Sequence, residues 1–219
     1  MIITGANKEY KPFYDKLKED CQKFGYDFRG YDYGGLGDGE NFDVKLKNPT
    51  ENGKYVGKIP EKPQIILGAL NRYQEFIVYL DADVRIMQPF NVEGDYDIGI
   101  TAHDPRFQEG DEPYLHITGY LNAGVIFINN TDGARKFINE WIKDVEFSTT
   151  GSDQEALTNL LRRHITDWTK QDHDVLGVKV RLFPSAVYNY TGIRGECDNP
   201  ILRHYTGIIQ DKIAHGALN

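Results

Sequence analysis

Asp81 and Asp83 stand one residue apart in the stretch QEFIVYLDADVRIMQPF, Gln74–Phe90. One carboxylate withdrawn from water carries a large desolvation penalty, and a second within a few ångströms adds like-charge repulsion. A hard divalent cation relieves both penalties, because Mg²⁺ and Mn²⁺ seek oxygen ligands and also accept phosphate oxygens. The pattern therefore fits a metal-phosphate site. It also fits a strand end whose acids simply face water, the commoner case for an isolated pair, and the rest of the chain has to decide between them.

The elements around this pair are those that would place it in a pocket. Phe76, Ile77, Val78, Tyr79 and Leu80 form a β-branched and aromatic run that reads as a buried strand delivering the two acids. Glu61–Tyr73 precedes it as a helix with Pro63 in the first turn, where proline is tolerated. Lys62, at the start of that helix, is either a solvated lysine or a cation for a phosphate. Asp97–Ala102 and Leu121–Asn129 read as further strands, the second entered through Ala123 and Gly124. Glycine there permits close approach of a ligand, or only a bulge. Asp132–Phe147 is an amphipathic helix. Ser152 caps another, running to about Arg163, with Glu155 completing a capping box. Capping does not account for Asp153 and Gln154 in the same first turn. His204 follows an apolar pair and, on its own, reads as a structural histidine.

The opening of the chain sets the fold class. Met1–Thr4 reads as a strand, Gly5–Asn7 as a turn, Lys11–Phe24 as a helix and Tyr26–Tyr31 as a second strand. A β-turn-α-β start predicts an α/β fold with a mainly parallel central sheet flanked by helices, covering residues 1–219 as one domain. In such sheets ligands gather at the carboxyl ends of the strands. The segment after the first strand lacks G-x-G-x-x-G, so the dinucleotide fingerprint is absent. Val178–Phe183 reads as a late strand and Pro184–Tyr190 as an extended aromatic segment. Gly34–Gly57 is a long polar, glycine-rich loop, either functional or a mobile solvated insertion, and His103–Tyr120 is a long polar segment that reads as a lid, a contact loop or an irregular excursion.

Composition narrows the partners. A net charge of −8 argues against nucleic acid or an anionic membrane as the main partner, while leaving room for a phosphorylated ligand. Cys21 and Cys197 are too few and too far apart for a disulfide framework or a zinc site. MIITGANKEY carries no signal-peptide pattern, and no stretch is long enough to span a bilayer. Reduced thiols and no leader make the cytoplasm the expected location.

Four motifs in order carry a resemblance: YLDADV (Tyr79–Val84), LNAGV (Leu121–Val125), SDQEALTNLL (Ser152–Leu161) and HYTG (His204–Gly207). Together they resemble the retaining GT-A nucleotide-sugar glycosyltransferases, in particular the family of glycogenin and the lipooligosaccharide galactosyltransferases. The chain is also similar in size and layout to a small glycosyltransferase domain from a large algal virus. The resemblance implies a UDP-sugar donor, a carbohydrate or glycoconjugate acceptor and Mn²⁺ or Mg²⁺. It implies metal ligation by Asp81, Asp83 and His204, with Asp81 shared between metal, ribose and sugar. It implies nucleobase contacts from Thr4, Ala6, Asn7 and Tyr10, and a nucleotide contact from Lys62. Asn122, Ala123, Gly124, Asp153 and Gln154 would surround the donor sugar, with Asp153 and Gln154 stabilising its cation-like state.

One departure stands out. The family's phosphate lysine follows the motif glycine by three residues, whereas Lys212 lies five after Gly207. Lys212 from an altered turn, Lys62 or Arg203 would then serve, or the contact is lost. Chemically, negative charge grows on a leaving diphosphate, and a metal with nearby cations stabilises it without a general acid. An inverting course would need a carboxylate base on the opposite face, for which Asp153 is the candidate. Two other readings compete: a sugar-nucleotide nucleotidyltransferase, and a binding module without turnover. TGANKEYKPF lacks the glycine-rich, arginine-containing loop of the first, and the intact D-x-D speaks against the second.

Overall fold

The computed structural model describes residues 1–34, 36, 37, 39, 61–102, 121–147, 152–192, 197–206 and 216–218. Nearly all of the two long loops, together with Gly207 and Lys212, lies outside the described residues.

The first strand, β1 (Ile2–Asn7), is longer than the sequence reading allowed. Gly5, Ala6 and Asn7 are strand rather than turn because β2 (Phe28–Gly34) runs parallel beside them, pairing Gly5 with Tyr31 and Ala6 with Asp32. A ladder partner overrides weak local preference, as is usual for strands. Asn7 then caps a 3-10 turn at Lys8–Tyr10, its Oδ1 accepting from the N–H groups of Glu9 and Tyr10. Helix α1 (Lys11–Phe24) follows and ends at Gly25, whose φ of 75° is the left-handed cap geometry that glycine favours.

Next come α2 (Glu61–Tyr73), β3 (Ile77–Leu80), the short β4 (Val84–Ile86), β5 (Ile98–Ala102), β6 (Leu121–Ile128) and α3 (Asp132–Phe147). The described chain continues with α4 (Asp153–Arg162), β7 (Asp172–Val175), β8 (Val178–Pro184), the single turn α5 (Ser185–Tyr188) and β9 (Leu202–His204). Seven strands form one sheet in the order β2-β1-β3-β6-β5-β8-β7. Five of them run the same way, while β6 and β7 reverse. The expected mainly parallel α/β sheet is therefore present. Ser152 caps α4 as expected, its Oγ accepting the N–H of Glu155. Pro184–Tyr190 is not extended throughout; Ser185–Tyr188 winds one turn closed by Asn189 N–H on Ser185 O at 2.8 Å.

Each face of the sheet has its own core. On one, Ile77, Tyr79, Ile126 and Ile128 pack with Ile66 and Leu70 of α2, Phe137 and Trp141 of α3, and Leu157 and Leu161 of α4. On the other, Val78, Leu80, Val125 and Phe127 pack with Leu17 and Cys21 of α1 and with Val84, Ile86 and Leu202 of a separate two-stranded ribbon, β4-β9. Asp20 of α1 pins that ribbon down. Its carboxylate accepts from Arg85 Nε at 2.6 Å and Nη2 at 2.9 Å, and from the Ile86 N–H at 3.0 Å. Two charge-assisted bonds in parallel give this contact direction as well as strength.

Burial beside Asp20 pushes the Cys21 thiol up to about 12, desolvation being the larger cause. Iodoacetamide at pH 8 should therefore label the partly exposed Cys197 in the folded protein and spare Cys21. Peptide mass spectrometry reads this directly; native labelling of Cys21 would contradict the packing of α1.

Candidate active site

The carboxyl ends of β1 and β3 open on the same edge, because the two strands are parallel neighbours. β3 ends at Leu80, and the chain turns through Asp81, Ala82 and Asp83 into β4, with the Val84 N–H bonding back to Asp81 O at 3.0 Å. Antiparallel β6 brings its amino end to this edge, where the Asp81 N–H donates to Gly124 O at 2.8 Å. The β4-β9 ribbon supplies the third wall, since Val84 pairs with His204.

These constraints bring together three side chains from two distant parts of the sequence. His204 Nε2 lies 3.2 Å from Asp83 Oδ1 and 3.8 Å from Asp81 Oδ2. One ligand atom from each of Asp81, Asp83 and His204 fits within a mutual 4.8 Å. An octahedral cation with bonds of about 2.1 Å sets neighbouring donors about 3 Å apart and opposite donors about 4.2 Å apart. Two carboxylates and one imidazole at these separations suit Mn²⁺ or Mg²⁺, so the residues fit the group that the sequence reading expects. Asp83 is only 6% exposed, so it does not face water as a plain strand end would.

Lys62 is not solvated either; its side chain is 12% exposed. Its Nζ lies 3.0 Å from Asp81 Oδ1 and 3.3 Å from Asp153 Oδ2, and donates to Ala123 O at 3.0 Å. One lysine thus bridges the D-x-D pair and the first turn of α4. Three carboxylates, Asp81, Asp83 and Asp153, thus share this centre with one lysine, an excess of acid that a divalent cation would offset. Gln154 straps α4 to β6: its Oε1 accepts the Ala123 N–H at 2.6 Å and its Nε2 donates to Leu121 O at 2.9 Å.

Gly124 answers the choice between ligand approach and bulge in a third way. A Cβ there would lie 2.3 Å from His204 Cε1 and 2.5 Å from Nδ1. The missing side chain makes room for the imidazole itself. Asn122 Oδ1 accepts the Gly124 N–H at 2.8 Å, which holds this entry to β6. The remaining expected residues gather at the β1 end. Thr4 and Ala6 are enclosed, Tyr10 is half-buried against Phe13, and Ala6 packs with Tyr14, Leu36 and Ala82, the middle residue of the D-x-D. Tyr10 packs against that same cluster, while Asn7 bonds the N–H groups of Glu9 and Tyr10. Gly207 and Lys212 lie outside the described residues.

Two residues in this centre went unassigned in the sequence reading. Asn189, nearly enclosed, contacts His204 and the Asn122 carbonyl, and Thr101, fully enclosed, contacts Asn189 and the same carbonyl. The available signal for Asn189 was a single amide between two tyrosines, Tyr188 and Tyr190.

The sequence model of the nucleotide-diphospho-sugar transferases matches residues 51–211, a stretch that holds the acids, Lys62, the β6 entry, Asp153, Gln154 and His204. The chain belongs to that family. It is a glycosyltransferase with the GT-A fold expected from its motifs. Solved structures similar to this transferase agree on the fold. A glycosyltransferase involved in glycosylation of the major capsid of PBCV-1 aligns over 98% of both chains with a TM-score of 0.61 and 14% identity. The galactosyltransferase LgtC, solved with donor and acceptor sugar analogues, aligns over 99% of this chain and 92% of its own with a TM-score of 0.55 and 18% identity. GlyE of Streptococcus pneumoniae TIGR4 aligns over 94% of this chain and 54% of its own, at 0.53 and 16% identity. None of the curated proteins compared with the transferase matches it. No described helix is long and apolar enough to cross a membrane.

Proposed function

We propose that this transferase moves a sugar from a UDP-sugar to a hydroxyl of a carbohydrate or glycoconjugate, with retention at the anomeric carbon. The observation that carries the reading is the convergence of Asp81, Asp83 and His204 beside a Lys62–Asp153 bridge. When bound, a divalent cation, Mn²⁺ or Mg²⁺, supplies the Lewis acidity that stabilises the leaving diphosphate. Asp81, Asp83 and His204 would hold it.

The chain's own residues account for the remaining needs. Lys62 has three ammonium hydrogens, and exchanging its bond to the Ala123 carbonyl for a phosphate oxygen would leave Asp81 and Asp153 held in place. Gly207 and Lys212 are the proposed contacts on the diphosphate from the C-terminal side. Thr4, Ala6, Asn7 and Tyr10 line the end of β1 proposed for the uracil and ribose, with Tyr10 as the stacking ring. Asn122, Ala123 and Gly124 border the donor sugar. Asp153, whose side chain is 30% exposed, presents a carboxylate to the positive charge that develops on that sugar. Gln154, bonded through its side-chain amide to Ala123 and Leu121, is the second residue proposed for the same purpose. Attack by the acceptor on the face that the diphosphate leaves preserves configuration. The free thiols of Cys21 and Cys197 suit a reducing compartment such as the cytoplasm.

A screen of nucleotide sugars for hydrolysis, with and without Mn²⁺, tests the reading and names base and sugar together. UDP-sugar turnover that stops on chelation is the expected result. Turnover undiminished by chelation removes the metal, and turnover of other bases alone removes UDP. With the acceptor found, the anomeric proton coupling of the product by NMR decides retention.

A further inference from the structure

Asn189 lies just past the α5 turn and is 1% exposed, yet its amide is engaged at every end. Nδ2 donates to Thr101 Oγ1 at 2.8 Å and to the backbone carbonyl of Asn122 at 3.1 Å, while Oδ1 faces His204 Nδ1 at 2.9 Å. The Asn122 carbonyl can only accept, so the amide NH₂ must face it. That orientation puts Oδ1 on the imidazole. An amide oxygen also can only accept, so His204 Nδ1 must carry a hydrogen. Thr101 closes the ring of contacts, accepting from Asn189 and donating to the same Asn122 carbonyl at 3.0 Å. The neutral imidazole is left with its lone pair on Nε2, the nitrogen that faces Asp83 and Asp81.

We propose that Asn189, oriented by the Asn122 carbonyl and Thr101, is a positioning residue that holds His204 in the Nδ1–H tautomer and so keeps Nε2 open to a metal. The proposal rests on the metal reading of Asp81, Asp83 and His204 given above. Its physical basis is a competition inside the site. Two carboxylates facing Nε2 attract a hydrogen to it, and a neutral ring with its one hydrogen there has no lone pair for a cation. Asn189 decides the matter from the other side of the ring. Gly124 adds a steric limit, since its missing Cβ leaves room for the ring in this placement. A partner of this kind sets the tautomer and rotation of a metal-binding histidine, and its loss lowers metal affinity about 10- to 100-fold.

The test uses two readouts. Long-range ¹H–¹⁵N NMR of the metal-free protein at pH 8.5, above the ordinary imidazole range, reports the His204 tautomer, with H204Q identifying the signal. Electron paramagnetic resonance of free Mn²⁺ in the presence of UDP reports metal uptake. Wild type should show Nδ1–H and bind Mn²⁺. N189L should lose the Nδ1–H preference and bind Mn²⁺ about 10- to 100-fold more weakly. N189D keeps an acceptor for Nδ1–H but loses the donor to the Asn122 carbonyl, and should recover the tautomer and part of the affinity. A wild-type Nε2–H tautomer overturns the proposal whether or not the variants fold, and so does undiminished Mn²⁺ uptake by folded N189L. Failure of wild type to take up Mn²⁺ overturns the metal reading itself, and the proposal with it.

Discussion

Asp83→Asn should reduce sugar transfer by at least about 10³-fold while the protein stays folded. The electrostatic contribution of the proposed metal to such a transition state would be several kcal/mol, and each 1.36 kcal/mol is a factor of ten in rate. Asp83 is the acid nearest His204 and the more deeply placed of the pair, with 7% of its side chain exposed against 27% for Asp81. The amide keeps the shape of the carboxylate and removes one of two facing negative charges. A stability change of about 1 kcal/mol would move the melting temperature by about 2–4 °C. Activity assays with purified UDP-sugar, alongside melting curves, separate the two effects. Wild-type turnover by a folded D83N enzyme would end the metal assignment.

Gly124→Ala should damage both metal binding and stability, and a second substitution should separate the two losses. The added methyl would stand 2.3 Å from His204 Cε1, 2.5 Å from Nδ1 and 2.9 Å from Asn122 Oδ1, all well inside contact. The ring cannot swing freely, because Asn189 holds its Nδ1 and Val84 pairs with its backbone. Overpacking of this kind costs about 1–3 kcal/mol, and a displaced ligand weakens metal binding about 10- to 100-fold. In the double variant Gly124→Ala/His204→Ala the methyl has space where the ring was. Stability should then recover in thermal melts, while Mn²⁺ binding stays lost in calorimetry with UDP. If the double variant is no more stable than Gly124→Ala alone, the clash is with something other than the imidazole.

Much of this centre was legible as chemistry before it was legible as geometry. Asp81 and Asp83 sit beyond a continuous apolar run, and an amphipathic helix opens on Asp153 and Gln154; both patterns are local, so residue type and spacing reveal them. Lys62 shows the boundary. Its place at the start of α2 is a local fact, but its burial between Asp81 and Asp153 depends on β3 and α4 packing on either side of it. Only then does a surface-type residue become the counter-ion of the site. The Gly5–Asn7 segment shows the same boundary in the fold, since neighbouring strands made strand out of what its composition read as a turn.

His204 marks the other side of that boundary. Three-residue strands such as Val84–Ile86 and Leu202–His204 are too short to carry a period, and their partners lie far apart in the chain. Residue by residue His204 reads as structural, and only the ordered set of motifs pointed to a ligand. Asn189 has no local pattern at all, because an amide's role is set by the directions of its three partners. The chain by itself determined an α/β sheet with paired acids at a strand's carboxyl end, since apolar period and charge spacing are properties of neighbours in sequence. The tertiary structure decided which nitrogen of His204 meets those acids, because that depends on hydrogen-bond directions that exist only once β5, β6, β9 and the turn before Asn189 are packed together.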